Sequence, residues 1–213
     1  MTTHKTARSR LTFGLIAATG ASFLSACLPS CAGMNVVYDG YGSVTCAGDA
    51  VTMEPKGATV AENTHAALVV PERGKTMTEG KVKATMQTVK QVRQGEPNPW
   101  EVAWLLWSYT DPTHFYALVL KPNGWEVSKQ DTAYPGAQRF LASGTSPTFE
   151  VGSTHSVEVS ISHEGGAAIF TITVDGKHLA TVTDSESPYL QGGPAFYTED
   201  ARVVFSELAV TEK

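Results

Sequence analysis

From residue 41 onwards apolar and polar side chains alternate in short runs, and this period of two predicts strands rather than helices. In the run 156–162, Val157, Val159 and Ile161 fall on one side, and Ser156, Glu158, Ser160 and Ser162 on the other. Phe170, Ile172 and Val174 alternate with Ile169, Thr171 and Thr173 in the same way. Strand-like runs are also read at 41–47, 50–55, 66–71, 81–92, 101–109, 114–121, 125–129, 138–142, 178–183, 195–197 and 201–210. Turn signals separate them: Gly48-Asp49, Asp111-Pro112, Pro122-Asn123-Gly124, Gly165-Gly166, Asp175-Gly176 and Gly192-Gly193. Asn123-Gly124 and Asp175-Gly176 are the strongest, because both supply residues that accept positive φ in a two-residue hairpin. No segment of the mature chain keeps a helical apolar period, and no repeat recurs at a fixed interval, which argues against a propeller. About a dozen short strands at a spacing of roughly 8–12 residues predict an all-β sandwich or jelly roll.

The densest apolar stretch is Trp100-Glu101-Val102-Ala103-Trp104-Leu105-Leu106-Trp107-Ser108-Tyr109. As a strand it places Trp100, Val102, Trp104 and Leu106 on one face, and Glu101, Ala103, Leu105, Trp107 and Tyr109 on the other. Both faces are partly apolar, so the strand is expected at the centre of a sheet and covered on both sides. One cover is the sandwich core; the other is a candidate ligand groove. In the next hairpin Phe115, Ala117 and Val119 suit a core, and His114, Tyr116, Leu118 and Leu120 take the opposite face. Beyond the turn, Trp125, Val127 and Lys129 lie opposite Glu126 and Ser128. Aromatic rings beside carboxylates, amides and a lysine suit a sugar, whose C–H face stacks on a ring while polar groups fix its hydroxyls. The competing reading is that these aromatics are core throughout.

The formal net charge is −5 and the basic residues do not cluster beyond the N-terminus, which excludes the footprint of a nucleic-acid binder. The N-terminus itself reads as an export signal. Lys5, Arg8 and Arg10 precede an uncharged run from Leu11 to Ala26, shorter than a membrane span of about 20 residues. Leu24-Ser25-Ala26-Cys27 resembles the lipobox of bacterial lipoproteins, which implies cleavage after residue 26 and a lipid on Cys27. Ordinary cleavage near Ser30-Cys31-Ala32 is the alternative, giving a secreted protein. With Cys27 lipidated, two of the three cysteines, Cys31 and Cys46, remain to form a disulfide in an oxidising compartment, or else to stay reduced and buried. The domain plan is a signal at 1–26, a tether at 27–40 and one jelly-roll domain at 41–213. The expected location is the cell envelope, with membrane contact through the lipid alone.

Three blocks carry a family resemblance: the opening hairpin Gly42-Ser43-Val44 to Pro55, the middle block from Trp104 to Asp131 with His114-Phe115-Tyr116 and Asn123-Gly124-Trp125-Glu126, and the closing block with Phe196-Tyr197-Thr198-Glu199-Asp200 and Phe205. Together the chain resembles concanavalin A-like jelly rolls of the family 16 glycoside hydrolase-like and 3-keto-disaccharide hydrolase-like kind. The resemblance implies a two-sheet antiparallel sandwich and an oligo- or polysaccharide partner. The Glu-x-Asp-x-x-Glu strand of family 16 glucanases is absent, so carbohydrate binding is expected ahead of hydrolysis, with a structural or protein-binding module as the remaining reading. The sugar-binding candidates are Trp107, Tyr109, His114, Tyr116, Lys129 and Arg139; carboxylates for an enzymatic role are Glu101, Glu126 and Asp131. No cofactor is implied. Related domains often carry a Phe-Asp-Asn motif at a structural calcium, but here Ser206 and Glu207 follow Phe205, leaving Asp39 and Asp200 as weak ligands for that ion.

Overall fold

The computed structural model describes residues 31–60, 63–74 and 76–213. Cys27 and the export signal lie outside these residues. Fourteen strands follow one another: β1 Met34–Tyr38, β2 Ser43–Ala47, β3 Ala50–Glu54, β4 Ala66–Pro71, β5 Gly80–Gln91, β6 Ala103–Asp111, β7 His114–Lys121, β8 Gly124–Gln130, β9 Gln138–Gly144, β10 Thr154–Glu164, β11 Ala167–Val174, β12 Lys177–Asp184, β13 Gly193–Glu199 and β14 Ala201–Glu212. A single 3₁₀ turn, Pro135–Ala137, is the one helical piece among the described residues. The strands form two sheets of seven, with every pairing antiparallel. A front sheet has the order β1-β4-β13-β6-β7-β8-β9, and a back sheet the order β12-β11-β10-β5-β14-β3-β2. This is the expected all-β jelly-roll sandwich.

Alternation builds the layer between the sheets. Val157, Val159 and Ile161 of β10 and Phe170, Ile172 and Val174 of β11 turn inward and are buried. The Phe196 ring of the front sheet stacks on Phe205 of the back sheet with centroids 4.3 Å apart. Each such ring removed from water stabilises the fold by about 1.5–3 kcal/mol. Three of the expected turns close two-residue loops: Gly48-Asp49, Gly165-Gly166 and Asp175-Gly176, with φ of 51° at Asp175 and 74° at Gly176. The β7–β8 loop sits one residue earlier than expected, on Pro122-Asn123, because Lys121 pairs with Gly124. Gly124 has φ 133°, and a Cβ there would meet the Gly144 carbonyl oxygen at 2.0 Å, so close sheet contact requires glycine.

One strand lies where the sequence predicts a tether. Within 27–40, β1 pairs with β4 along the sheet edge, Met34 opposite Pro71 and Asn35 opposite Val70. As an edge strand it covers little core, and Val36 and Val37 stay exposed, so its sequence lacks the alternation that marks the other strands. Cys31 and Cys46 are joined by a disulfide with Cα atoms 5.2 Å apart, which ties the approach to β1 in the front sheet to β2 in the back sheet.

Candidate functional site

Register decides which side chains of the front sheet face the back sheet and which face outward. Trp107 pairs with Tyr116, Tyr116 with Lys129, and Lys129 with Arg139. This row points into the sandwich: Trp107, Tyr116 and Lys129 are each 0% exposed. Tyr197 pairs with Trp104, Trp104 with Val119, and Val119 with Glu126, and this row points outward. The groove expected around Trp107, Tyr116 and Lys129 therefore requires correction, since the strands are right and the face is reversed. Phe115, Ala117 and Val119 are buried as expected, but in a second apolar cluster on the face of the front sheet that is turned away from the back sheet. Tyr109 reaches that surface because Ser108 adopts φ 47°, which breaks the alternation and turns the next side chain over. The Tyr109 ring then stacks on Phe115 with centroids 6.2 Å apart.

The inward row converges on Asp184 at the end of β12, a residue with no distinguishing pattern in the sequence. Asp184 is fully buried and accepts from the Tyr116 hydroxyl at 2.7 Å and from Arg139 Nη1 at 3.2 Å, while Lys129 Nζ lies 3.0 Å away. Lys129 also donates to the carbonyls of Glu186 and Ser187 at 2.9 and 2.8 Å and lies 4.4 Å from the centre of the Tyr189 ring. Arg139 completes the set with Glu186 at 2.7 Å. Burial pushes the Asp184 carboxyl up, but the hydrogen bonds from Tyr116 and Lys129 outweigh it and hold the group below its ordinary value. Burial, followed by the hydrogen bond to Asp184, drives the Tyr116 phenol far up. With its charges paired and its hydrogen bonds internal, this network ties Tyr116, Lys129 and Arg139 to the buried Asp184. His114 stands at its margin, half-exposed, with Nδ1 2.9 Å from Asp111 and its ring 5.3 Å from Tyr189.

The outward face holds two adjoining depressions with Pro112 at the border of both. One, of about 490 Å³, is lined by residues that include Asn35, Val70, Thr76, Tyr109, Asp111 and Gln191. The other, of about 220 Å³, is lined by Tyr38, Trp104, Phe115 and Tyr197, with the amides of Gln130 and Gln138 and the carboxyl of Glu199. Trp104 and Phe115 form its floor, each 7% exposed; Tyr38 is 37% exposed. Trp100, 42% exposed, stands beside Trp104, whose indole N–H donates to the Trp100 carbonyl at 2.8 Å. Tyr197 packs edge-on against Trp104 with centroids 5.1 Å apart and donates its hydroxyl to Glu199 Oε1 at 2.7 Å. Burial raises the Glu199 carboxyl above its ordinary value; the Tyr197 hydrogen bond opposes this, and the charges of Asp200 and Glu101 reinforce it. Burial likewise pushes the Tyr38 phenol up to about 12.

The three carboxylates considered for catalysis do not meet in either depression. Glu101 is fully buried, paired with Arg93 and accepting from Asn98 at 2.8 Å, while its second oxygen, Oε2, has no hydrogen-bond partner among the described residues. Glu126 faces outward but pairs with Lys121. Asp131 caps its own turn by accepting from the Ala133 amide at 3.0 Å. Of the two residues weighed for calcium, Asp200 has both oxygens in use, taking hydrogen bonds from the amides of Ala58 and His65 and from Arg93 Nη2. Asp39 accepts from the Tyr41 amide at 3.0 Å. Among the described residues no group of three or more His, Cys, Asp or Glu side chains is placed to hold a metal ion.

No family model matches the chain, and no curated protein matches it in sequence. Solved structures do match in fold. A sialidase aligns over 85% of this chain with a TM-score of 0.54 and 12% identity, although the chain spans only 17% of that protein. The carbohydrate recognition domain of Emp46p aligns over 82% of this chain and 87% of its own length, with a TM-score of 0.53 and 8% identity. The laminarinase catalytic domain from Thermotoga maritima aligns over 80% of both chains with a TM-score of 0.50 and 12% identity. At these identities the likeness establishes the two-sheet jelly roll and nothing finer.

Proposed function

We propose that this domain binds carbohydrate on the outer face of its front sheet, in the depression between Tyr38, Trp104, Phe115, Tyr197 and Glu199. The observation that carries this reading is the composition of one lining: four aromatic rings, two amides and one carboxyl on a single concave surface. Rings supply flat apolar area for the C–H faces of a sugar, and amides and a carboxyl supply donors and acceptors for its hydroxyls. The larger neighbouring depression adds Asn35, Asp111 and Gln191, so a chain of two or more sugar units has polar groups on both sides of Pro112. The names of two structural neighbours, a carbohydrate recognition domain and a laminarinase, support a saccharide over other small ligands. Binding is favoured over hydrolysis because Glu199 is the one carboxylate among the described residues of its lining, and glycosidases work with a pair.

Tryptophan fluorescence and calorimetric titration with neutral oligosaccharides test the reading. Saturable binding that Trp104→Ala weakens supports it; the absence of binding to any saccharide refutes it. The same reading places the domain outside the cytoplasm. The Cys31–Cys46 disulfide supports an oxidising compartment and leaves Cys27, the proposed lipidation site, as the remaining cysteine. Metabolic labelling with a fatty acid, lost in Cys27→Ala, is the expected outcome.

A further inference from the structure

We infer that the saccharide taken at the Glu199 end of the groove is uncharged, and that uronic acid chains are turned away from it. This rests on the saccharide reading above and names the class of sugar. The lining of the depression contains phenols, amides, an indole and one carboxyl, and among the described residues no lysine or arginine.

The basic side chains nearby are committed elsewhere. Arg93, 4% exposed, gives Nε to Glu101, Nη1 to the Val60 carbonyl, and Nη2 to Asp200 and the Asn63 carbonyl. Lys129 and Arg139 are turned inward onto Asp184. Lys121 is paired with Glu126, and His114 with Asp111. A ligand carboxylate entering the depression would lose water, meet no lysine or arginine in the lining, and approach the Glu199 carboxyl. Sugar hydroxyls suit the same surroundings. Each can donate to Glu199 or to an amide oxygen and accept from an amide N–H, so none of these groups requires charge compensation. The aromatic floor provides the remaining contact whatever the sugar's charge, so discrimination falls to the polar groups alone.

The test compares ligands of equal length on the wild-type protein, so that it does not depend on any variant folding. Neutral hexasaccharides (β-1,3- and β-1,4-linked glucose, and β-1,4-linked mannose) and hexagalacturonate are titrated side by side at moderate salt. The expected result is that at least one neutral hexamer binds about tenfold or more tightly than the uronate, equivalent to about 1.4 kcal/mol. Gln138→Lys, which sets a cation in the lining, is expected to strengthen binding of the uronate. Uronate binding equal to or tighter than every neutral ligand overturns the inference while leaving the saccharide reading standing. No binding by any of the ligands overturns both.

Discussion

The two faces of the front sheet use the same strands and similar residue types, yet they are put together in opposite ways. Inside, Trp107, Tyr116, Lys129 and Arg139 surround Asp184, and each charge has a partner within the protein. Outside, Trp104, Phe115, Tyr38 and Tyr197 surround Glu199, which takes side-chain hydrogen bonds from Tyr197 and Trp100. Aromatic rings beside charged groups therefore do not by themselves mark a binding site. What distinguishes the outer set is that its rings, amides and carboxyl line a concave surface.

The largest expected effect breaks the inner set. Asp184→Ala leaves Lys129 buried without its carboxylate and is expected to destabilise the fold by about 3–5 kcal/mol, read from denaturant midpoints. Trp107→Ala opens the core and is expected to cost a similar ~3–5 kcal/mol, with saccharide affinity unchanged in the protein that remains folded. Its outward counterpart sharpens the contrast. Trp104→Ala removes the aromatic floor and is expected to weaken saccharide binding by about 10- to 100-fold, or ~1.4–2.8 kcal/mol. If Trp107→Ala weakens binding in the folded protein while Trp104→Ala does not, the assignment of the faces is wrong.

The smallest effect is a difference in pH response. Glu199 is held above its ordinary 4.5, so the folded state keeps its proton more tightly than the unfolded chain does. Its contribution is full below pH 4.5 and is lost as pH rises through the raised value. Asp184 is held below 3.8, so its contribution is present above that pH and is lost as pH falls through the lowered value. Urea midpoints measured across this range should show Glu199→Gln removing the alkaline-side loss and Asp184→Asn removing the acid-side one. Parallel curves for both variants would contradict the opposite environments described for the two carboxyls.

The fold was legible because strands with one buried face announce themselves. Val157-Glu158-Val159-Ser160-Ile161 needs no tertiary information, and the glycines at 165, 166 and 176 mark real hairpins. β1 was not legible, because an edge strand buries too little to leave a pattern. The site was legible only to the level of the strands. When both faces of a strand are apolar, alternation separates the two sets but does not say which is inside. The information was present one strand further on. Across the β7–β8 turn Phe115, Ala117 and Val119 pair with Gln130, Ser128 and Glu126, and polar partners identify the outer face. Two local breaks hid this, the loop beginning at Pro122 and the reversal at Ser108 that sends Tyr109 outward. Asp184 and Glu199 acquire their roles from partners far away in sequence, Tyr116 lying 68 residues from Asp184 and no motif linking them.

The covalent link between Cys31 and Cys46 also determines how the domain carries a mechanical load. Tension applied upstream of Cys31 passes through the sulfur bridge directly into β2, bypassing the chain between the two cysteines. β1 thus lies inside a closed loop that bears no pull and cannot be peeled from β4, although an edge strand is otherwise the first to unzip. Reduction returns β1 to the line of force. In a pulling experiment the reduced domain should release the extra length between residues 31 and 46 at low force, before the two sheets come apart.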